Sequence, residues 1–279
     1  MKVIDIAYEP PRSLEPLVLC IGKFDGVHIG HQKLLRRAEQ ALMEGYQLAV
    51  MSFSPHPAWA LTGNEKYKRA LTPINEKLRL LKKYGVSRFY RVHFTKEYAK
   101  TDVDTFVFEH LTRLNLKRIV VGEGFNFGKP YESGTEVLQA LCRQINVPVT
   151  VVPVLSEEGL KISSTDIRHY VSDGQFEKAK VLLGRDYYIS GKVKLKGPNH
   201  FELCLPKEHP DGVDGYVLPV EGAYEMMVQG DLDGPILMAK GFRSLHDEDR
   251  YHLVLSNEQH SIEALNNRDI RATFVRRIE

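Results

Sequence analysis

Two histidines three residues apart, His28 and His31, lie in the run Gly22-Lys23-Phe24-Asp25-Gly26-Val27-His28-Ile29-Gly30-His31. At that spacing both imidazoles can face one phosphate chain, as neutral donors or as cations. Gly22, Gly26 and Gly30 permit sharp turns and close approach of backbone to ligand. The run leaves an apolar segment, Leu17 to Ile21, and leads into a helical pattern. A helix starting there aims free N–H groups and its positive end at the same ligand, which suits phosphate. Without those surroundings the pair would read as two surface histidines of a strand-to-helix turn.

A second run, Lys161-Ile162-Ser163-Ser164-Thr165-Asp166-Ile167-Arg168, carries three hydroxyls and a guanidinium. Ser163 or Ser164 can cap the helix that follows while the other hydroxyls and N–H groups face phosphate. Arg168 is about one turn in and can reach the same anion. Alone, this is an N-cap with a surface arginine; beside the H-x-G-H turn it reads as the second wall of one triphosphate site. Other phosphate motifs fail on inspection. No G-x-G-x-x-G follows the first apolar segment. The run Gly122 to Lys129 resembles a P-loop, but Glu123 stands where a glycine is required and Pro130 where Ser or Thr is.

The elements that must hold these residues follow from periodicity. Leu17–Ile21, Gln47–Phe53, Val86–Phe94, Lys117–Gly122 and Val147–Val154 read as strands. His31–Glu44, Pro73–Tyr84, a segment from Asp102 to about Leu114, and Gly134–Asn146 read as helices. Alternation of this kind predicts an α/β, Rossmann-like parallel sheet with helices on both faces. Its site lies beyond the carboxyl ends of the strands. Two short helices follow, Ser163–Val171 and Gln175–Leu183. From Arg185 the texture changes to short strand candidates: Tyr187–Lys196, Glu202–Leu205, Gly215–Pro219, Ala223–Val228, Ile236–Ala239, Tyr251–Leu255 and Ile270–Arg276. Gly, Pro, Asp and Asn separate them, which predicts a small all-β barrel or sandwich. The boundary is expected near residue 185, giving domains 1–185 and 186–279.

The chain's 279 residues suit two domains. A net charge of +2 from 38 basic and 36 acidic residues supplies no field for nucleic acid or an anionic membrane. Cys20, Cys142 and Cys204 are odd in number and far apart, with no C-x-x-C, so neither a disulfide framework nor a zinc site is expected. Met1 to Pro11 holds Asp5 and Glu9 and no apolar core, so it does not read as a signal peptide. The apolar runs are too short to span a bilayer. A reduced, cytoplasmic protein is the expectation; its oligomeric state is left open.

The pattern G-x-F-D-G-V-H-x-G-H, followed far downstream by I-S-S-T-x-I-R, resembles the adenylyltransferase module of prokaryotic FAD synthetases. The likeness continues through Phe53-Ser54-Pro55-His56-Pro57, the Val121 to Gly128 loop and Leu183-Gly184-Arg185, and so covers roughly residues 15 to 190. It implies that AMP passes from ATP to FMN, giving FAD and pyrophosphate. His28, His31, Ser164 and Arg168 would act on the ATP phosphates, with Ser163 and Thr165 gripping them. Gly22, Lys23, Phe24, Asp25 and Gly26 would shape the ATP pocket. Phe53, Pro55, His56 and Pro57, with Phe125, Asn126 and Phe127, would border the flavin and adenine. Mg²⁺ would ride on the phosphates, and no protein metal ligand is implied, because Mg²⁺ keeps its waters. The partners are then ATP and FMN alone.

Two residues depart from the family's pattern. Lys23 stands where an Asn is usual, and Gly124 where the loop carries Asp or Asn, a place Asn126 could take over. The C-terminal part resembles the family's riboflavin kinase barrel through Gly184 to Val193, Gly222-Ala223-Tyr224 and Ala272 to Ile278. The kinase's G-F-P-T-A-N segment reads Lys196 to Leu203 here, without its Thr and Asn in place. Its catalytic Glu has no match in Tyr251 to Leu255. A barrel inactive as a kinase is expected. The alternatives are a bifunctional kinase and synthetase, an adenylyltransferase for another phosphate, and a non-catalytic flavin or nucleotide sensor.

Overall fold

In a computed structural model of the chain, Leu17 to Ile21 are completely or almost completely buried. Two apolar layers explain this. Leu17, Leu19 and Ile21 join Met51, Tyr90, Val92, Ile119 and Val121 in one cluster. Val18 and Cys20 join Val50, Phe89 and Val120 in another. Alternate residues of each strand thus enter cores on opposite faces of one sheet. The structure describes residues 1–128, 133–153, 156–157, 160–206, 215–230, 236–243, 250–256 and 265–278; the side chains of 156, 157, 160 and 161 are not described. Lys129 and Pro130, and Val154 at the end of an expected strand, lie outside these residues.

The first compact unit spans residues 1–162. Its elements are β1 (Lys2–Ile6), β2 (Ser13–Ile21), α1 (Ile29–Glu39), β3 (Gln47–Ser54), α2 (Pro57–Thr62), α3 (Ile74–Lys83), β4 (Arg88–His93), β5 (Leu114–Gly122), α4 (Thr135–Gln144), β6 (Val149–Val152) and a small pair, β7 (Ser156–Glu157) and β8 (Leu160–Lys161). The first six strands form one sheet in the order β1-β4-β3-β2-β5-β6. Every pairing in it is parallel. The chain runs outward from β2 through β3 to β4 and then crosses back to place β5 on the other side of β2. The crevice beyond the carboxyl ends of β2 and β5 is therefore the topological switch point. The Gly22 to His28 turn follows β2, and the Gly122 to Gly128 loop follows β5. Leu34, Leu35 and Ala38 of α1, with Leu80 and Leu81 of α3, cover one face. Leu138 and Cys142 of α4, with Phe106, Val107 and Leu111, cover the other. Truncating a fully buried residue such as Leu35 to Ala would cost about 2–5 kcal/mol.

The helix expected from Asp102 is broken into a π-helical turn, Thr105–His110, and a 3₁₀ turn, Leu111–Arg113. Asp102 still makes the expected cap, its carboxylate accepting from Thr105 N at 2.8 Å. Helix α1 stops at Glu39 rather than Glu44.

The second unit begins at Ser163 rather than near 185. Its helices α5 (Ser164–Ser172) and α6 (Phe176–Leu183) group with the barrel. The reason is aromatic packing: Phe176 stacks on Phe274 at 4.8 Å and meets Tyr224 edge-on at 5.7 Å. The barrel is closed and antiparallel, from β9 (Tyr188–Gly197), β10 (His200–Cys204), β11 (Ala223–Gln229), β12 (Ile236–Arg243), β13 (Arg250–Leu255) and β14 (Asp269–Arg277). The strand expected at Gly215–Pro219 is absent from the ladder. Side chains occupy its neighbourhood instead: Tyr187 Oη donates to Val217 O at 2.6 Å, and Tyr224 Oη to Val220 O at 2.5 Å. Pro219 has no N–H to offer a neighbour. No helix among the described residues is long and apolar enough to cross a membrane.

Candidate active site

Beyond Ile21 the backbone takes an unusual path. Phe24, Gly26 and Val27 have φ of 50°, 83° and 41°. For β-branched Val27 this is a strained conformation, of the order of 1–3 kcal/mol, that persists only where the surroundings over-determine it. They do so here. The Asp25 carboxylate is buried and accepts from Leu71 N at 2.9 Å and Thr72 N at 3.4 Å. Gly26 N donates to Thr72 Oγ1 at 3.0 Å. Ser52 Oγ donates to Lys23 O at 2.8 Å, Lys77 Nζ to the same oxygen at 3.1 Å, and Gln32 Nε2 to Val27 O at 3.0 Å. Phe24 is fully buried, so Phe24 and Asp25 act on the turn through the backbone they hold. Gly22 N donates to Met51 O, and the Lys23 side chain is exposed.

His28 caps α1. Its Nδ1 accepts from His31 N at 3.3 Å, so the neutral ring carries its proton on Nε2. The His28 and His31 rings stack at 3.7 Å and 21°, and Phe24 lies 4.9 Å from His31. Gly30 leaves room for this stack: a Cβ there would lie 3.1 Å from His28 Nδ1, close enough that the ring would have to give by a few tenths of an ångström. No acidic residue occupies the first turn of α1, so its positive end is not neutralised from within. The turn thus places two imidazoles beside a helix N-terminus, an arrangement suited to an anion.

The neighbouring strand β3 ends in the second segment. Phe53 is half-buried against Phe94 at 5.8 Å and Tyr98 at 6.4 Å. The Ser54–Pro55 peptide is cis. His56 caps α2 by accepting Ala58 N at 3.1 Å through Nδ1, and its ring stacks on Tyr67 at 4.4 Å and 14°. Pro57 opens α2, a position that needs no N–H. This helix buries none of its residues, and Lys68 Nζ lies 5.7 Å from the Trp59 ring centroid.

After β5, Phe125 N closes a turn onto Gly122 O at 2.9 Å. Phe125 and Phe127 stack at 5.8 Å, and Phe127 is buried against Phe106 at 5.5 Å. Phe127 therefore supports the loop from behind, while Gly124 and Asn126 are exposed. Asn126 Nδ2 reaches Gly124 O at 3.5 Å.

In the second unit, Ser163 caps α5, its hydroxyl accepting from Asp166 N at 3.1 Å and donating to Asp166 Oδ2 at 2.6 Å. Ser164 and Thr165 open the helix, and Arg168 is buried on it. Sequence reasoning missed Thr72, Lys77 and Tyr67. Tyr67 and Thr72 lie in a segment without periodicity, and Thr72 meets its partners 46 and 47 residues away. Only the Thr-Pro pair that opens α3 could have drawn attention to it. Among the described residues, no three of His, Cys, Asp and Glu gather as a metal site.

This geometry can be set beside known proteins. Residues 11–166 match the family described as FAD synthetase. A FAD synthetase of Listeria monocytogenes is 44% identical over 81% of this chain and 87% of that protein. A bifunctional riboflavin kinase/FMN adenylyltransferase of Bacillus subtilis is 33% identical over 78% of this chain and 69% of its own length. A crystal structure titled as a macrolide-efflux protein of Streptococcus pneumoniae covers 100% of this chain and 91% of that one, with TM-score 0.85 and 26% identity. The family match spans five of the six strands of the sheet, β2 to β6, with the histidine turn on its switch-point crevice, and on these grounds the chain belongs to the FAD synthetase family.

Proposed function

We propose that the chain is an FMN adenylyltransferase that converts ATP and FMN into FAD and pyrophosphate. The observation that carries the reading is the stacked His28–His31 pair at the start of α1, held by a turn with three positive φ values. A phosphate oxygen of FMN attacks the α-phosphorus of ATP. The new P–O–P bond forms as the bond from the α-phosphorus to the bridging oxygen breaks, and pyrophosphate leaves with that electron pair. No covalent intermediate on the protein is required, so catalysis is alignment and charge stabilisation. His28 and His31 donate to the triphosphate, and the amide groups that open α1 add their partial charge. Ser163, Ser164, Thr165 and Arg168 contribute hydroxyl and guanidinium contacts to ATP phosphate. The segments Phe53 to Pro57 and Phe125 to Asn126 take the flavin and adenine. Mg²⁺ enters with ATP as part of the substrate. The protein works in the cytoplasm without nucleic acid or membrane.

The barrel is inactive as a riboflavin kinase in this reading. Pro198 and Asn199 make a two-residue hairpin between β9 and β10, with Asn199 at φ 55°, where kinase chemistry would need a substrate-binding segment. Glu202 is buried and committed to Arg250 at 3.1 Å and Lys196 at 3.3 Å. Burial alone would raise its pKa, but hydrogen bonds from Cys204 and Lys196 and the Arg250 charge hold it below the usual value. It is therefore a poor general base.

One incubation series with Mg-ATP tests both halves, offering FMN in one tube and riboflavin in another, with chromatography of the flavins. FAD from FMN and no product from riboflavin is expected. FMN formed from riboflavin would restore the kinase, and no FAD from FMN would remove the adenylyltransferase. His28→Ala should lower turnover by about 10²–10³-fold with little change in thermal stability.

A further inference from the structure

His110 is completely enclosed, and neither nitrogen of its ring has a hydrogen-bond partner among the described residues. A buried donor and acceptor left unpaired weaken a fold, and an apolar side chain of similar volume would avoid that loss. Packing alone therefore does not call for a histidine here. The residue closes the π-helical turn Thr105–His110, a rare conformation found disproportionately at functional sites.

The neighbours of the ring supply a reason for both features. Tyr98 lies 5.9 Å away at 39°, and Phe106 lies 6.2 Å away at 70°. Tyr8 closes a third side at 5.1 Å and 78°. Tyr98 in turn packs on Phe53 at 6.4 Å, and Phe106 packs on Phe127 at 5.5 Å. Phe53 stands near the end of β3, and Phe127 lies in the loop after β5. His110 is thus one ring removed from each of the two segments that the proposed function gives to the flavin.

The same stretch is tied down around the ring. Asp102 caps its start at Thr105 N, and Arg113 Nε donates to Pro10 O at 2.6 Å beyond its end. Gly128, at the end of the loop after β5, has no room for a Cβ against Val103, shortly before the turn. A flat ring meets its aromatic neighbours at defined angles; a branched aliphatic side chain fills the same space and sets no angle.

We propose that His110 is a positioning residue for the flavin pocket, setting through Tyr98 and Phe106 the gap between Phe53 and the Phe125 to Phe127 loop. The proposal rests on the reading of the chain as an FMN adenylyltransferase. His110 touches no reacting atom. It gives up fold stability for a fixed spacing of two aromatic walls.

The test is steady-state kinetics and thermal melting on His110→Leu, His110→Met, Phe127→Leu and the double variant His110→Leu/Phe127→Leu, with FMN and ATP varied separately. All are measured at about pH 8, above the titration range of an ordinary histidine. His110→Leu should keep or raise the Tm, because it removes the unpaired nitrogens. It should nonetheless raise the FMN KM roughly two- to tenfold, the range of one misplaced aromatic contact, with the ATP KM unmoved. His110→Met, also close in volume, should do the same. The double variant should lose less than the sum of its two parts, because His110 acts on Phe127 through Phe106. An unchanged FMN KM in both single variants at His110, an equal rise in the ATP KM, or additive losses would overturn the positioning role. A Tm well below wild type in both would make the histidine structural and overturn it too. A wild-type protein that makes no FAD from FMN would instead remove the underlying reading, and the proposal with it.

Discussion

Gly30 and His28 are in contact through an atom that glycine lacks: a Cβ on Gly30 would stand 3.1 Å from His28 Nδ1 and 3.2 Å from Cε1. Nδ1 is also the atom that receives the His31 amide. The crowding at the glycine of H-x-G-H thus comes from the imidazole two residues before it and not from its backbone, since Gly30 is among the residues without a left-handed φ.

Gly30→Ala should therefore displace the His28 ring while leaving α1 intact, since alanine is the better helix former. Misplacing a phosphate donor by a few tenths of an ångström to one ångström should lower FAD formation by roughly 10- to 100-fold. Circular dichroism melting should move by only a few degrees. An unchanged rate would mean that the His28 ring is free to shift and that its position carries no catalysis.

Thr72 is the acceptor for the Gly26 amide, at 3.0 Å, and is itself buried. Thr72→Val keeps the shape and removes this acceptor from Gly26 N–H, a loss of about 0.5–1.5 kcal/mol. The strained turn then loses one of the bonds that define it. The expected outcome is a lower Tm together with a raised ATP KM, and recovery of both in Thr72→Ser. A fall in Tm with unchanged kinetics would make Thr72 structural only.

The sheet was legible because its strands are buried on both faces and separated by amphipathic helices, so period and burial agree. The edge strand β1 was not, since Lys2, Val3 and Asp5 are exposed and its pairing with β4 is set about 86 residues away. Helix α2 was missed because six residues are too few to show a helical period, although Ala60 and Leu61 pack partly buried against the core. The H-x-G-H turn could be found by spacing because its partners are neighbours in the chain. The Asp25–Thr72 link and the Tyr67–His56 stack could not, because each joins a recognisable segment to one with no pattern of its own. The expected boundary at 185 followed the change from helix to strand, whereas the packing of Phe176 on Phe274 ties the two helices to the barrel.

His110 predicts a pH dependence of stability. It is 1% exposed, and neither ring nitrogen has a hydrogen-bond partner among the described residues. Tyr8, Tyr98 and Phe106 surround it at 5.1, 5.9 and 6.2 Å. Burial pushes its pKa below the usual 6.5; Glu9, Glu109 and Asp102 oppose this and Arg113 assists it. Above pH 6.5 the ring is neutral in both states and contributes no slope. As pH falls through 6.5 the unfolded chain takes a proton that the folded chain refuses, so stability falls until the folded ring also titrates. His110→Leu should flatten the urea-midpoint curve between about pH 7 and about pH 5 relative to wild type. Parallel curves for the two proteins would show that the loss comes from other groups.

Gly124 and Asn126 decide whether the loop after β5 has kept its polar contact with the substrate. A Cβ on Gly124 would meet nothing within 4 Å, and the residue is among those without a left-handed φ. Gly124→Asn should therefore fold with a Tm close to wild type and restore an amide at the place where the resembling family carries Asp or Asn. If Asn126 has taken over that contact, Asn126→Ala should raise the FMN KM, and Gly124→Asn should recover it in the double variant. The Asn126 amide already turns back toward Gly124 O, at 3.5 Å, so the two positions share one patch of the loop. One lost amide contact corresponds to about 1 kcal/mol, or a KM change of roughly fivefold. An FMN KM that ignores all three variants would detach the loop from substrate binding and leave Phe125 and Phe127 as packing for the sheet.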